Sequence, residues 1–419
     1  MAMTKNDIHV LRELAKRQAE IAALPHMEER RRWWYDLNDG KTTQPLCIFA
    51  FHGPHDGFYM PMRCETPLAR EVEHNMIIHQ TTHMLVDDDR VFEPYIRLRA
   101  RNGFTPFGTS VGRSGTQYAD GGTSIGYAYH HPVQDFAADI EKFTKSTWRV
   151  DYSLLQTLAD CAEVRAAIGD IIGVRAEVPS ICFYPASWVL EMMGMENMMV
   201  AMMDEPELFH SVMRKLTDDM HEYLDALEIQ GGLLLNSDST FLNQDSWGYT
   251  SQLPKFNYDG VPRLRHMWGY SNAQETVGMS PEMFDEFFFQ YIKEFADRMG
   301  LFAYGCCEPV DSQWPLSLSR LPNLRKLSVS PWCNEEALGE MIRGKGIVYH
   351  RKPSPNFVGV DEHFDEDAFA AHMKRTALAA SGSPLEVTFR DILTLRGEPW
   401  RAKRAVEITR EAFAKYYQS

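Results

Sequence analysis

The sequence lacks a long apolar run. Its 419 residues contain no stretch of about 18 consecutive apolar residues, which a membrane-spanning helix would need. The charged and amphipathic residues 1–25 also lack the continuous apolar core of a secretory signal. We therefore expect a soluble, cytoplasmic protein that has no membrane partner.

The sequence is also poor in positive charge. It has 43 Lys and Arg residues against 58 Asp and Glu residues, a formal net charge of −15. A surface this acidic disfavours DNA, RNA and anionic membranes as partners, so we expect no nucleic acid. The hydrophobic and charged fractions, 44% and 24%, are those of an ordinary globular protein.

Cysteine spacing of the kind that marks a disulfide framework or a structural zinc site is absent. The seven cysteines are an odd number at irregular spacing, and no two of them form a C-x-x-C pair. This pattern favours reduced thiols. Cys306 and Cys307 are adjacent at the end of an apolar run, so they either fill the core or face a ligand.

Short apolar runs alternate with amphipathic helical patterns along the chain, an order typical of β/α units. One helix is well marked, since Ser280 suits the N-cap, Pro281 the first helical position and Gly300 the end. The Asp run at residues 87–89 is expected to be a solvated face or a helix end. Eight segments are candidate strands: residues 45–51, 93–99, 174–184, 231–238, 265–275, 300–307, 324–332 and 346–353.

Eight strands with interposed helices predict an α/β fold of the (β/α)8 TIM barrel type, with a doubly wound open sheet as the competing architecture. Residues 1–42 are predicted to be an N-terminal helical extension, and residues 43–419 the catalytic barrel domain. Two long insertions, residues 100–135 and 239–264, lack a clear pattern, and such loops are usually functional or mobile. The sequence allows a homodimer without predicting one.

Most candidate strands end in polar side chains. In TIM barrels the active site is formed at the carboxyl ends of the strands, so these side chains are the candidate site. Packing alone would account for a single buried cysteine or for an acid before a helix, but not for the whole series. The series comprises His52, Asn236, Asp238, Glu275, Cys306, Cys307, His350, Arg351 and Lys352.

Four of these side chains have the chemistry of a zinc site. Thiolate, imidazole and carboxylate are zinc ligands, and a catalytic zinc uses three of them and leaves one position open. The predicted ligands are Glu275, Cys306 or Cys307, and His350. They would come from three different strand ends.

Several segments resemble the uroporphyrinogen decarboxylase superfamily. They read AQETVGMSPEMFDEF from residue 273, YGCCEP from 304, LPNLRKLSVSPW from 321 and RKPSP from 351, with a helical region at 190–213. The likeness is greater to the methyltransferase members than to the tetrapyrrole decarboxylases. It implies a (β/α)8 barrel over residues 45 to 415.

The resemblance also implies a chemistry. The decarboxylases hold substrate carboxylates with an early arginine-rich segment, and the matching CIFAFHGPHDG here has no arginine. The other branch moves methyl groups to or from a corrinoid on a separate small protein, and commonly holds zinc with a His-x-Cys pair and a later Cys. Here Tyr304 stands in place of that His, and His350 or Cys333 would complete the ligand set.

The leading hypothesis is therefore a methyltransferase that passes a methyl group from a small methylated compound, such as a methoxylated aromatic, to a corrinoid carrier protein. Zinc, or a protonated Glu275 or Tyr304, would neutralise the leaving oxygen. Asn236 and Asp238 would hydrogen-bond polar substituents of the substrate. Four aromatic residues are predicted to form an apolar slot for its ring: Trp247, Trp268, Tyr270 and Trp332.

Two alternatives remain open. One is a cofactor-free decarboxylase or lyase acting on a small acid, with Asp238 in proton transfer and the carboxylate bound by His52, His350, Arg351 and Lys352. The other is a barrel that binds a ligand without catalysis. Stoichiometric zinc would favour the methyltransferase over the lyase.

Overall fold

Seven parallel strands form the main sheet of the computed structural model, which describes residues 2–51, 58–100, 104–117, 124–149, 154–178, 181–255 and 257–419. The strands in chain order are β1 Leu46–Phe51, β2 Tyr95–Arg99, β3 Gly112–Gln117, β4 Ser124–His130, β5 Gly173–Glu177, β6 Cys182–Phe183, β7 Trp268–Ser271, β8 Leu301–Tyr304, β9 Leu324–Val329, β10 Val348–Arg351 and β11 Leu385–Ile392. The main sheet has the order β1-β11-β10-β9-β8-β7-β6. β2 pairs in parallel with β5, and β3 with β4 forms an antiparallel hairpin.

Helices connect most of these strands, so the α/β class is confirmed. They are α1 Lys5–Ala22, α2 Pro25–Asn38, α3 Pro67–Val86, α4 Phe136–Thr144, α5 Leu154–Ile168, α6 Pro185–Asp204, α7 Pro206–Ile229, α8 Pro281–Phe284, α9 Gln290–Ala296, α10 Val310–Gln313, α11 Glu335–Ile342, α12 Glu366–Ala379 and α13 Trp400–Tyr416. Within the described ranges, none of the helices has the length and apolar character that crossing a bilayer requires.

The helix predicted after Ser280 is present. The Ser280 hydroxyl oxygen accepts the backbone N–H of Met283 at 3.2 Å, and Pro281 is the first residue of α8. α8 continues through a π-helical turn, Asp285–Phe289, into α9. The N-cap and the proline fix the start of this helix, while the π turn has no signal in the sequence.

One predicted strand is wrong, the segment predicted at residues 174–184 is divided into β5 and β6, and three strands were missed: β3, β4 and β11. Residues 231–238 form no strand, because the Asn236 side chain takes the ladder position: its amide bonds the backbone N–H and C=O of Trp268 at 2.8 and 3.0 Å. Of the missed strands, only β11 belongs to the main sheet, where it pairs with both β1 and β10. Its sequence, LEVTFRDI, alternates apolar and polar side chains as a strand with one polar face does.

The Asp run at residues 87–89 does lie at the end of a helix, since Asp87 is the exposed C-cap of α3, but the run is not a solvated face. Asp88 and Asp89 are buried, and their carboxylates accept the backbone N–H groups of Phe49 and Cys47 at 2.8 and 2.7 Å. These carboxylates therefore satisfy the outer edge of β1. Within the described ranges no backbone hydrogen bond joins β1 to β2, the contact that closure of a barrel would require.

Two helices, α1 and α2, lie in the N-terminal part of the chain. α1 begins with a capping box in which Thr4 and Asp7 bond each other's backbone N–H groups. Its apolar face, which includes Val10 and Leu14, packs with residues of α3 and α5. The boundary at residue 42 stays a prediction.

Candidate functional site

One loop, residues 239–250, lies against the face of the main sheet on which Lys326 and Glu386 meet. We call it the central loop. Gln244 accepts hydrogen bonds from Lys352 and Arg390, and the Ser246 hydroxyl bonds Glu386 at 3.0 Å. Nearby, the indole of Trp268 donates to the carbonyl of Gly248 at 2.9 Å. The central loop thus contacts β7, β10 and β11 at once.

The two adjacent thiols lie directly after β8, at its carboxyl end. Their Sγ atoms are 3.5 Å apart, and both side chains are half-buried. The hydrogen bond from Cys306 lowers the pKa of Cys307 to about 7 although burial opposes it, and the positive charge of Lys352 contributes. The same hydrogen bond, with burial, raises the pKa of Cys306. The hydrogen bond within the pair and the charge of Lys352 therefore both favour the thiolate form of Cys307.

Glu308 holds the thiol pair in place. Its buried carboxylate accepts the backbone N–H of Cys306 at 2.8 Å and that of Ala273 at 2.9 Å. These two bonds link the segments that follow β8 and β7. Burial raises the pKa of Glu308 despite both hydrogen bonds.

Two cations lie beside the thiols at the ends of β10 and β11. Lys352 Nζ donates to the carbonyl oxygen of Cys306 at 3.1 Å and to Oε1 of Gln244. Arg390 Nη1 donates to the same Oε1 atom. Burial lowers the pKa of Lys352. A lysine with a lowered pKa can release a proton during a reaction more readily than a solvated one.

His350 lies deeper, two residues before Lys352 on β10. Its Nε2 is 2.9 Å from the Thr388 hydroxyl and 3.6 Å from Oε1 of Glu386. Glu386 also pairs with Lys326, with 2.6 Å between Nζ and Oε2. Burial, together with the neighbouring cations, lowers the pKa of His350 well below its usual value. The histidine is thus a neutral part of the polar interior.

The predicted zinc ligands do not fit a zinc ion. No three His, Cys, Asp or Glu side chains are grouped for metal binding anywhere in the ranges that the structure describes. The Glu275 carboxylate accepts the Ser187 hydroxyl of α6 at 2.5 Å, while His350 lies with Thr388 in the interior. Cys333 Sγ lies 3.4 Å from the Ser330 hydroxyl.

Tyr304 and Arg351 face the helices instead of the site. Tyr304 donates to the Gln313 side chain at 3.4 Å, and Arg351 pairs with Glu335 of α11 at 2.8 Å. Successive strand residues point to opposite faces of a sheet, so Arg351 points away from the face that its neighbour His350 occupies. The structure therefore does not bring Tyr304 to the site as a proton donor, or Arg351 as a substrate ligand.

The predicted aromatic slot is not assembled. Trp332 is on the surface with 69% of its area exposed, and Trp247 packs edge-on against Trp34 with 5.1 Å between ring centroids. Trp268 is fully buried against the central loop. Only Tyr270 adjoins the thiol segment, with its hydroxyl donating to the carbonyl of Gly305 at 2.9 Å.

The remaining predicted residues have structural partners or lie outside the description. Asp238 pairs with Arg97 of β2 at 2.5 Å and accepts the Thr240 hydroxyl at 3.0 Å. Asn236 is occupied by the backbone of Trp268. His52 lies outside the described residues.

A cavity of about 420 Å³ opens beside β2, separate from the thiol cluster. α3 and the central loop contribute to its wall, with Arg97, Arg99 and Tyr95 on one side and Trp247 on another. Both arginines are paired, Arg97 with Asp238 and Arg99 with Glu177. The cavity therefore has an aromatic wall, but both of its arginines already form ion pairs within the protein.

Sequence reasoning missed Gln244 and Arg390. Gln244 lies in an insertion without a helical or strand pattern, so nothing in the sequence marked it. Arg390 lies on β11, and recognising the alternation in LEVTFRDI would have placed it at a strand end beside Lys352.

No protein-family model matches the chain, and no curated protein matches it. Among solved structures, a methyltransferase from Methanosarcina mazei matches with a TM-score of 0.51 and 14% sequence identity. The match covers 92% of this chain and 99% of the other. At this identity the likeness concerns the fold, and it extends over nearly the whole of both chains.

Proposed function

We propose that the protein is a methyltransferase that moves a methyl group from a small methylated compound, in the first place a methoxylated aromatic, to a corrinoid on a separate carrier protein. The observation that carries the proposal is the cluster of Lys352, Cys306 and Cys307 at the carboxyl ends of β8 and β10. The fold shared with a methyltransferase over nearly the full chain supports it.

Cleavage of a methyl ether requires a proton donor for the leaving oxygen. When the methyl–oxygen bond of an ether breaks, the methyl group goes to the nucleophile and the oxygen keeps the electron pair. The corrinoid, when present, supplies that nucleophile. The ammonium group of Lys352 gives its proton to the leaving oxygen, which avoids a free alkoxide or phenoxide. Because burial lowers the pKa of Lys352, its proton is easier to transfer than that of a surface lysine.

The thiol pair contributes a negative charge and keeps a fixed position beside Lys352. The thiolate of Cys307 attracts Lys352 and favours the charged amine before transfer. Glu308 fixes the backbone of Cys306, so the pair keeps its position while substrate binds. The predicted zinc has no role in this scheme, because the described residues do not form its ligand set.

We further propose that the parallel strands belong to a (β/α)8 barrel. In this barrel β5 and β6, which were predicted as one strand over residues 174–184, count as a single strand, β2 follows beyond it, and residues 1–42 are an extension. The chain order of the parallel strands and the parallel pairing of β2 with β5 support it. The cytoplasm is the proposed location, because the corrinoid carrier would meet the protein there.

The test is a methyl-transfer assay with purified protein. Methoxylated benzenes are offered with chemically reduced cob(I)alamin, and loss of its absorbance is followed together with the demethylated product. We expect transfer by the natural protein, a fall of about 10²-fold or more in kcat for Lys352→Met, and little change for Cys161→Ala in α5.

Two outcomes would contradict the proposal. One is the absence of transfer from a panel of O-, N- and S-methyl compounds, although the protein is folded. The other is release of carbon dioxide from aromatic acids without methyl transfer, which would instead support the decarboxylase alternative.

A further inference from the structure

We infer that Lys352 and Arg390 form a subsite for a carboxylate of the ligand, and that the side chain of Gln244 fills this subsite until the ligand displaces it. The inference deepens the proposed function, on which it rests for the identity of the substrate. The methylated compound would be an aromatic acid whose carboxylate is ortho to the methoxy group, so that the ammonium group of Lys352 reaches both.

The first observation is a convergence of charge on a neutral atom. Lys352 and Arg390 both donate to Oε1 of Gln244. Lys352 is only 4% exposed, and no carboxylate of the described residues lies within ion-pair distance of its Nζ. Buried charges are normally paired with an opposite charge, because burial without a partner is costly. Beside the thiol pair, an amide oxygen therefore occupies the position between the two cations where a carboxylate would be expected.

The second observation is that another buried lysine, deeper in the sheet, has a carboxylate partner. Lys326 is as buried as Lys352, and it has its carboxylate: Glu386 lies 2.6 Å away. The same interior thus matches one lysine with an acid and leaves the other with an amide. The difference lies at the carboxyl ends of the strands, the edge where parallel α/β folds bind ligands.

The third observation concerns the guanidinium of Arg390. Its Nε–H is buried and has no hydrogen-bond partner among the described residues. Arg390 forms ion pairs with Asp245 and Asp391, whose oxygens lie 3.6 and 3.4 Å from Nε, but neither carboxylate accepts a hydrogen bond from the Nε–H group. A guanidinium offers its N–H groups in a fork that matches the two oxygens of a carboxylate.

The fourth observation is the backbone of the central loop. Gln244 and Asp245 have φ angles of 54° and 59°, in the left-handed region that residues with a side chain seldom adopt. Two successive residues of this kind cost energy, which the hydrogen bonds of Gln244 offset. A charged carboxylate makes stronger hydrogen bonds to these cations than a neutral amide does, so a ligand can replace Gln244.

The subsite lies next to the thiol cluster, since Lys352 also donates to the carbonyl of Cys306. A carboxylate bound there would anchor an aromatic acid with its ring near Cys306 and Tyr270. The ring therefore would not need the aromatic slot that the sequence predicted.

The experiment measures binding and needs no methyl transfer. Calorimetric titrations of the full chain compare 2-methoxybenzoate with its neutral amide, 2-methoxybenzamide. We expect the acid to bind at least about tenfold more tightly than the amide, because only the acid matches the two cations. Gln244→Glu fills the subsite with a tethered carboxylate. We expect it to raise the melting temperature and to weaken binding of the acid at least about tenfold.

Gln230→Glu, at the exposed end of α7, is the matched control and should bind the acid as the natural protein does. Arg390→Met should lose the preference for the acid. Equal affinity for the acid and the amide, no binding of either, or unchanged binding in Gln244→Glu would overturn the subsite. Selective binding of the acid without methyl transfer would overturn the proposed function and leave the subsite standing.

Discussion

Lys326 and Glu386 form an ion pair in the interior of the sheet, with 2.6 Å between Nζ and Oε2 and almost no exposed area on either side chain. The Ser246 hydroxyl contacts both partners. This pair joins β9, β11 and the central loop.

Breaking that pair should destabilise the protein strongly. Lys326→Met leaves the Glu386 carboxylate buried without its cation, and we expect a loss of about 3–5 kcal/mol in the free energy of unfolding. Urea denaturation measures it. The double variant Lys326→Met with Glu386→Leu should recover much of the loss, because it removes both buried charges. A loss below about 1 kcal/mol in the single variant would show that the pair is not buried as described.

The reactivity of Cys307 should follow its lowered pKa. The thiolate is the reactive form, so the rate of alkylation by iodoacetamide should rise with pH and reach half its maximum near pH 7. In Cys306→Ala the donor is lost, and we expect the midpoint to move up towards about 8.5. Mass spectrometry of the peptide follows the reaction. An unchanged midpoint would mean that Cys306 does not tune its neighbour.

Gly305 should resist substitution because of its position before the thiols. Its φ is +99°, and an added Cβ would lie 3.1 Å from side-chain atoms of Ser328 and Val310. Gly305→Ala should therefore cost about 1–3 kcal/mol and shift the titration of Cys307. Gly344→Ala is the matched control, with φ +71° and no atom near the added Cβ. Equal effects of the two changes on stability would contradict the close packing at Gly305.

Asp7 should make the free energy of unfolding depend on pH in the acidic range. Burial opposes its ionisation, but hydrogen bonds from the backbone of Glu65 and Thr4 and from the Thr66 hydroxyl lower its pKa to about 2. A depressed pKa stabilises the folded chain above the ordinary value of 3.8, and that contribution is lost as the pH falls towards 2. Asp7→Asn should cost about 1–3 kcal/mol at pH 7.

Denaturation of both proteins between pH 7 and pH 2 checks this prediction, and the difference between them should shrink as the pH falls. A difference that stays constant over that range would mean that the charge of Asp7 contributes nothing to folding. Thr4→Ala serves as a companion variant, because it removes the other half of the capping box.

Local signals in the sequence were enough for much of the fold. The apolar runs that became β1, β7, β8, β9 and β10 are short, end in polar residues and alternate with helices, as a parallel sheet requires. The start of α8 followed from Ser280 and Pro281, whose effects are local. The strand predicted at residues 231–238 is absent, because a buried strand needs a hydrogen-bonding neighbour as well as an apolar run.

The candidate site likewise combines features that the sequence predicted with features that only the tertiary structure revealed. The sequence by itself determined that the thiols follow β8 directly and that a lysine ends β10. Only the tertiary structure decided that Tyr304 and Arg351 turn towards the helices, and that Gln244, 108 residues before Lys352, meets it. Side chains alternate between the two faces of a strand, so a shift of one residue reverses which of them reach the site. Contacts between distant segments depend on how the whole chain packs, which no local pattern encodes.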